Sequence, residues 1–195
     1  MLYADESGFS LWTPVTYSYY FQGEQKRQEQ TPSRGRRVSL LGFFQPLLGF
    51  VYGLVIGSFT SERYSKMMDA QAETAQPVLA QTGRMRVIVQ DHGPIHTSKA
   101  VPQKWPEWEA KGLYLFFLAK YCSEMNPYAF GGAKPYEGEW HQIKAHELGG
   151  RMFEDELDLS YAVIDGIEAR ATAGSYEVER YKFPSQSATL QCSIL

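Results

Sequence analysis

The feature that most constrains this fold is an uncharged stretch between Arg37 and Glu62, almost wholly apolar from Leu40 to Phe59. A helix that spans a membrane needs about 20 such residues, so length alone permits one. Four glycines, Gly42, Gly49, Gly53 and Gly57, interrupt the run, and Gln45-Pro46 splits it. Both residue types weaken a helix interior. Two buried strands, near 37–44 and 50–57, joined by a turn at Gln45-Pro46, satisfy the pattern better.

The rest of the chain alternates around that pair. The start, to about Trp12, reads as a strand, and residues 14–30 as a strand leading into a polar loop. Thr60 or Ser61 can cap a helix running to about Gln81, with Tyr64, Met67 and Met68 on its apolar face and Gly83 ending it. The β-branched run Val87-Ile88-Val89 makes a strand that leads to Asp91. An irregular helical stretch from about Ser98 to Ala110 follows, then an apolar strand from Leu113 to Leu118. After a Gly-rich loop from Asn126 to Pro135, two helices are predicted. One spans about Glu137 to Leu148. The other spans about Glu154 to Ala169, with Leu157, Tyr161, Ile164 and Glu168 recurring at helical spacing. The expected fold is an α/β mixed sheet, part antiparallel hairpin and part parallel, flanked by helices. It fills one domain over residues 1–183, and residues 184–195 form a patternless tail.

Charge narrows the function. The chain has a net charge of −3, unevenly spread: 13 Lys/Arg against 10 Asp/Glu in residues 1–120, and 6 against 12 in residues 121–195. This is not the strongly basic balance of a free-standing nucleic-acid binder. Lys26, Arg27, Arg34, Arg36 and Arg37 form its one basic cluster, either a DNA-backbone contact or a solvated turn. Cys122 and Cys192 lie far apart, outside any metal-ligand spacing, and read as free thiols of a reducing compartment. With no basic-then-apolar leader, the expected location is cytoplasmic.

Two carboxylates follow apolar runs: Asp5 after Leu2-Tyr3-Ala4, and Asp91 after Val87 to Gln90. One such Asp is ordinarily a turn or cap residue. Two at neighbouring strand ends repel unless something neutralises them. A hard divalent cation does so through oxygen ligands. A third acid on a following helix would complete a two-metal site for in-line phosphoryl displacement. Glu137 is placed for that role, with Glu124 and Glu139 as rivals. Trp105 and Trp108 could stack on bases, although a packed helix accounts for them as well.

Three blocks carry a family resemblance: ADESGFSLW at 4–12, VIVQDHGPIHTSKAV at 87–101, and LAKYCSEMNP at 118–127 with EGEWHQIKAHEL at 137–148. GRRVSLLGFFQP at 35–46 and FVYGLVIGSFTSERY at 50–64 fit between them. The chain resembles the DDE superfamily endonuclease domain of bacterial insertion-sequence transposases related to mariner elements, over about residues 1 to 170. The resemblance implies a ribonuclease H-like fold and an active site holding two Mg²⁺ ions, for which Mn²⁺ can substitute. It also implies cutting and joining of DNA at transposon ends. Asp5 and Asp91 match the first and second catalytic acids. Glu137 matches the third, three residues before Trp140 as in the family's E-x-x-W pattern. His96 matches a recurrent position with no catalytic role assigned. The implied partners are transposon ends, target DNA, and a second copy or another chain supplying the family's N-terminal helix-turn-helix region, which this sequence lacks.

One departure from the pattern is YAFGGAKP, residues 128–135, inserted between Asn126-Pro127 and Glu137. With the missing helix-turn-helix region, it supports an alternative: a catalytically inactive transposase remnant that acts at most as an interaction module.

Overall fold

The computed structural model describes residues 1–12, 22–23, 35–45, 48–119 and 138–184. Six strands form one sheet: β1 (Leu2–Phe9), β2 (Val38–Gln45), β3 (Gly49–Ile56), β4 (Arg86–Gln90), β5 (Leu113–Phe117) and β6 (Glu177–Tyr181), in the order β5-β4-β1-β2-β3-β6. The uncharged stretch is the antiparallel pair β2–β3, with Gln45 opposite Gly49. β1 joins β2 antiparallel, while β1–β4, β4–β5 and β3–β6 are parallel. The strands β2 and β3 are covered on both faces, with Leu41, Phe43 and Val55 in one core and Leu40, Phe44 and Phe50 in the other, which explains their sustained apolar character.

Helices cover both faces. On one lies α1 (Ser61–Thr82), packed through Tyr64, Met67, Met68 and Ala72 onto Leu2, Ala4, Leu41 and Phe43. Thr60 caps α1 by accepting the Arg63 N–H, and Gly83 closes it in the left-handed conformation at φ 67°. The short α2 (Trp105–Ala110) adds Trp108 to the same core, its indole N–H held by Asp69 at 2.8 Å. The other face is closed by α3 (Glu139–Gln142), a π turn over Ile143–Glu147, and α4 (Glu156–Gly174). These pack Trp140, Ile143, Leu159, Val163 and Ile167 onto Phe9, Leu40, Phe44 and Phe50.

Four sequence expectations change. Residues 98–101 form turns rather than helix, and regular structure begins at Pro102, because Pro102 and Pro106 restrict the residues before them. Asp5 lies mid-strand in β1 rather than at a strand end. Leu157 and Tyr161 of α4 are exposed, and the buried face runs through Leu159, Val163, Ile167 and Ala171 instead. The fold also closes with a strand, β6, which the sequence reading omitted. Val178 and Tyr181 flank the sheet there, but three charged residues in five, Glu177, Glu179 and Arg180, mask the strand signal. Among the described residues, no helix is long and apolar enough to cross a membrane.

Candidate active site

The site is built where the antiparallel and parallel halves of the sheet meet, at β1 and β4. Parallel pairing joins Leu2 to Ile88 and Tyr3 to Val89. Continuing that register by two residues brings Asp5 beside Asp91. Asp5 is therefore within its strand but just past its last parallel pair, and Asp91 follows the last residue of β4. In sheets of this kind, chemistry gathers beyond the carboxyl ends of the parallel strands.

Asp5 points to the α3–α4 face and is partly buried. Its Oδ2 accepts the indole N–H of Trp140 at 2.9 Å. Opposite Asp5 on β2 stands Gly42. A Cβ at Gly42 would collide with the Phe50 ring and come within 3.1 Å of Trp140 Cζ2. The missing side chain is what lets the Trp140 indole reach the carboxylate. Burial, the largest cause, and the Asp91 charge together raise the Asp5 pKa to about 6, against the lowering effect of the Glu6 backbone and Trp140 hydrogen bonds.

Asp91 has the opposite environment. Its side chain is 58% exposed, but Oδ1 is held by His96 Nδ1 at 3.0 Å and by the Gly93 N–H at 2.9 Å. The His96 hydrogen bond is the main cause holding this carboxyl below its ordinary value. Behind His96 lies the Tyr64 ring of α1, with centroids 4.9 Å apart. The Tyr64 hydroxyl donates to Oε1 of the buried Gln90, the residue before Asp91, at 2.8 Å.

Charged neighbours ring the pair. Glu6 is raised by burial, against the Arg37 charge, and pairs with Arg37 at 3.4 Å. Lys144, in the π turn, is lowered by burial while the Asp5 charge opposes that shift. Its ammonium lies 5.3 Å from the Phe9 ring centre.

Of the residues singled out in the sequence, the structure brings Asp5 and Asp91 together. Glu137 and its rival Glu124 lie outside the described residues, as do Lys26, Arg27 and Arg34, both cysteines and the insertion. Glu139 opens α3. Arg36 is engaged with Glu156, its backbone N–H at 2.7 Å from Oε1, and Arg37 with Glu6 and Ser39, so both described members of the basic cluster have intramolecular partners. Trp108 is buried, and Trp105 packs against Phe117, which favours the packing account of both. Two contributors went unassigned in the sequence: Trp140 as a donor to Asp5, and His96 as a partner of Asp91. The compact D-H-G-P-I-H spacing was the available signal for His96. Nothing local signals Trp140, which is 135 residues from Asp5.

The family model described as DDE superfamily endonuclease matches residues 1–160. The chain belongs to this family. Among solved structures, this DDE domain is similar to a pre-cleavage Mos1 transpososome, at 15% identity and a TM-score of 0.60, covering 89% of this chain and 53% of that one. It is similar to the mariner Mos1 paired end complex with Mg, at 18% identity and a TM-score of 0.62, covering 87% of this chain and 48% of that one. The catalytic domain of Mos1 mariner transposase gives 14% identity and a TM-score of 0.52, covering 89% and 78%. The DDE domain thus spans about half the length of the transposase chains in the first two. At these identities the likeness is one of fold, and it bears out the expected ribonuclease H-like mixed sheet. No curated protein matches the chain.

Proposed function

We propose that this DDE domain is the catalytic domain of a DNA transposase, cleaving and joining phosphodiesters at transposon ends with divalent-metal assistance. The observation that carries the reading is the pairing of Asp5 with Asp91 at the junction of the sheet's two halves, on a DDE superfamily chain. The donor set fits Mg²⁺ or Mn²⁺: two hard carboxylates, one raised by burial and by the other's charge. Among the described residues no group of three or more metal-binding side chains occurs. The third ligand assigned here is Glu137, next in sequence to the first described residue of the segment that brings Trp140 to Asp5. Bound divalent cations supply activation of the attacking oxygen and charge stabilisation at the leaving one.

The chain's own residues do the positioning. Asp5, Asp91 and Glu137 hold the cations. Trp140 fixes the Asp5 carboxylate, and the backbone N–H of Gly93 fixes Asp91. The attacking groups are water and then a DNA 3′-hydroxyl, so no covalent protein–DNA link forms. The basic cluster Lys26, Arg27, Arg34, Arg36 and Arg37 is assigned to the DNA backbone. Arg36 and Arg37 would then exchange their carboxylate partners for phosphates. The partners assigned are transposon ends and target DNA, with a second copy of the chain or a protein bearing a helix-turn-helix region beside it, and the site of action is the bacterial cytoplasm.

Cleavage of supercoiled plasmid and of transposon-end duplex in Mg²⁺ and Mn²⁺ tests this. The intact chain is expected to cut in either metal, and Asp91→Asn to abolish cutting. Undiminished cutting by that variant removes the assignment. Cutting gained only on deletion of residues 128–135 would establish the opposing reading, an inactive remnant disabled by its insertion.

A further inference from the structure

Asp91 is exposed and lies beyond the last residue of its strand, where a carboxylate would ordinarily rotate freely. Here it does not. The chain after β4 turns back on itself, with the His96 and Thr97 N–H groups both donating to the Gly93 carbonyl, at 3.0 and 3.2 Å. That turn carries His96 to Asp91 from five residues downstream. His96 Nδ1 then lies 3.0 Å from Asp91 Oδ1 and 3.2 Å from the Asp91 carbonyl oxygen. Two acceptors on one ring nitrogen require that nitrogen to carry the proton. The other nitrogen, Nε2, is buried without a hydrogen-bond partner among the described residues. A lone pair on Nε2 leaves no buried ring N–H unpaired among the described residues, which favours the Nδ1–H tautomer.

The ring has little freedom of its own. Its side chain is 3% exposed and packs on Tyr64, whose hydroxyl is fixed to Gln90. Gln90 and Asp91 are consecutive, so the network closes on itself: Asp91 to His96, His96 against Tyr64, Tyr64 to Gln90. Space is shared just as closely at Gly93, where a Cβ would sit 3.0 Å from Asp91 Oδ1 and 3.5 Å from His96 Nδ1.

We propose that His96 is a positioning residue: as the Nδ1–H tautomer it occupies Asp91 Oδ1, jointly with the Gly93 N–H, and so leaves Oδ2 as the oxygen available to a divalent cation. The inference rests on the reading of Asp91 as a metal ligand. Partners that orient a ligand in this way typically contribute 10- to 100-fold in metal affinity.

Two measurements on the full chain test it. The first is the ¹⁵N spectrum of the histidine rings in metal-free protein. His96 is expected to show a protonated Nδ1 and an unprotonated Nε2, and a protonated Nε2 with bare Nδ1 would overturn the proposal. The second is Mn²⁺ binding by His96→Leu and His96→Asn, alongside thermal melting of each. Asn places an amide N–H near the Nδ1 position, and Leu fills space without a donor. His96→Leu is expected to weaken Mn²⁺ binding by about tenfold or more, with His96→Asn close to wild type. Equal affinity in the wild type and His96→Leu would overturn the proposal, as would His96→Asn binding no better than His96→Leu. Asp91→Asn separates the two levels. If it abolishes binding while His96→Leu does not weaken it, the positioning role fails and the metal site stands. If Mn²⁺ binds the wild type and Asp91→Asn equally, the metal-ligand reading fails and takes this inference with it.

Discussion

Asp5 and Asp91 are the same chemical group, on and just beyond neighbouring strands, in opposite surroundings. Asp5 sits within a strand paired on both sides, and burial raises its pKa to about 6. Asp91 stands exposed beyond its strand, and the hydrogen bond from His96 lowers it. The difference shows two ways of fixing a carboxylate. One packs it among rings and accepts a desolvation cost; the other leaves it in water and ties it to a turn. A cation shared between them would favour the ionised form of Asp5, which the protein alone disfavours.

Substitutions can break that comparison at several scales. The largest effect is expected at Trp140, buried with its ring 6.4 Å from Phe9 and 5.7 Å from Phe50. Trp140→Ala should cost about 3–5 kcal/mol in denaturant unfolding. Trp140→Phe keeps most of the packing and loses only the donor to Asp5, so its cost should be near 1 kcal/mol. Next come the two carboxylates, where the sign should differ. Asp5→Asn removes a buried charge and is expected to stabilise metal-free protein at pH 8 by roughly 1–3 kcal/mol. Asp91→Asn weakens two hydrogen bonds at an exposed site and should destabilise it by about 1 kcal/mol or less. Effects of the same sign at both positions would undo the contrast.

The pH dependence sharpens it. A carboxyl raised in the folded state binds its proton more tightly there than in the unfolded chain. The Asp5 contribution to stability is therefore fully present below the ordinary value of 3.8 and is lost as pH rises through about 6. For Asp91, lowered in the folded state, the contribution is present above 3.8 and is lost as pH falls through its depressed value. Melting temperatures across this range, wild type against Asp5→Asn, should differ most above pH 6 and converge toward pH 4. The smallest effect is expected at Arg37, whose pair with Glu6 is solvent-accessible. Arg37→Ala should change unfolding free energy by about 0.5 kcal/mol or less.

Much of this was legible in the sequence because the strong signals are local. The uncharged stretch, its glycines and Gln45-Pro46 foretold β2 and β3, and Thr60 and Gly83 marked α1 to within a residue. Asp91 was visible because β4 ends there. The misses have physical causes. β6 carries mostly charged residues because it is the end strand of the described sheet, and its pairing with β3 is backbone to backbone. The face of α4 was misjudged because Leu157 and Tyr161 are large and apolar, while the buried face includes Ser160, Ala162 and Gly166. At Gly166, the missing side chain admits Glu147 of the π turn, whose Cβ would lie 3.1 Å from a Cβ there. Asp5 was found but set at a strand end because the apolar run Leu2-Tyr3-Ala4 stops there, although the strand, read to about Trp12, continues past it to Phe9.

The account turns on Asp5 and Asp91 sharing one cation site, and the carboxyl ¹³C titration of Asp5 tests that most directly. In metal-free protein Asp5 should titrate near pH 6. Mg²⁺ should drive its midpoint down, and in Asp91→Asn the metal-free midpoint should fall part of the way while Mg²⁺ loses its effect. An Asp5 midpoint that ignores both Mg²⁺ and the charge at position 91 would contradict the account.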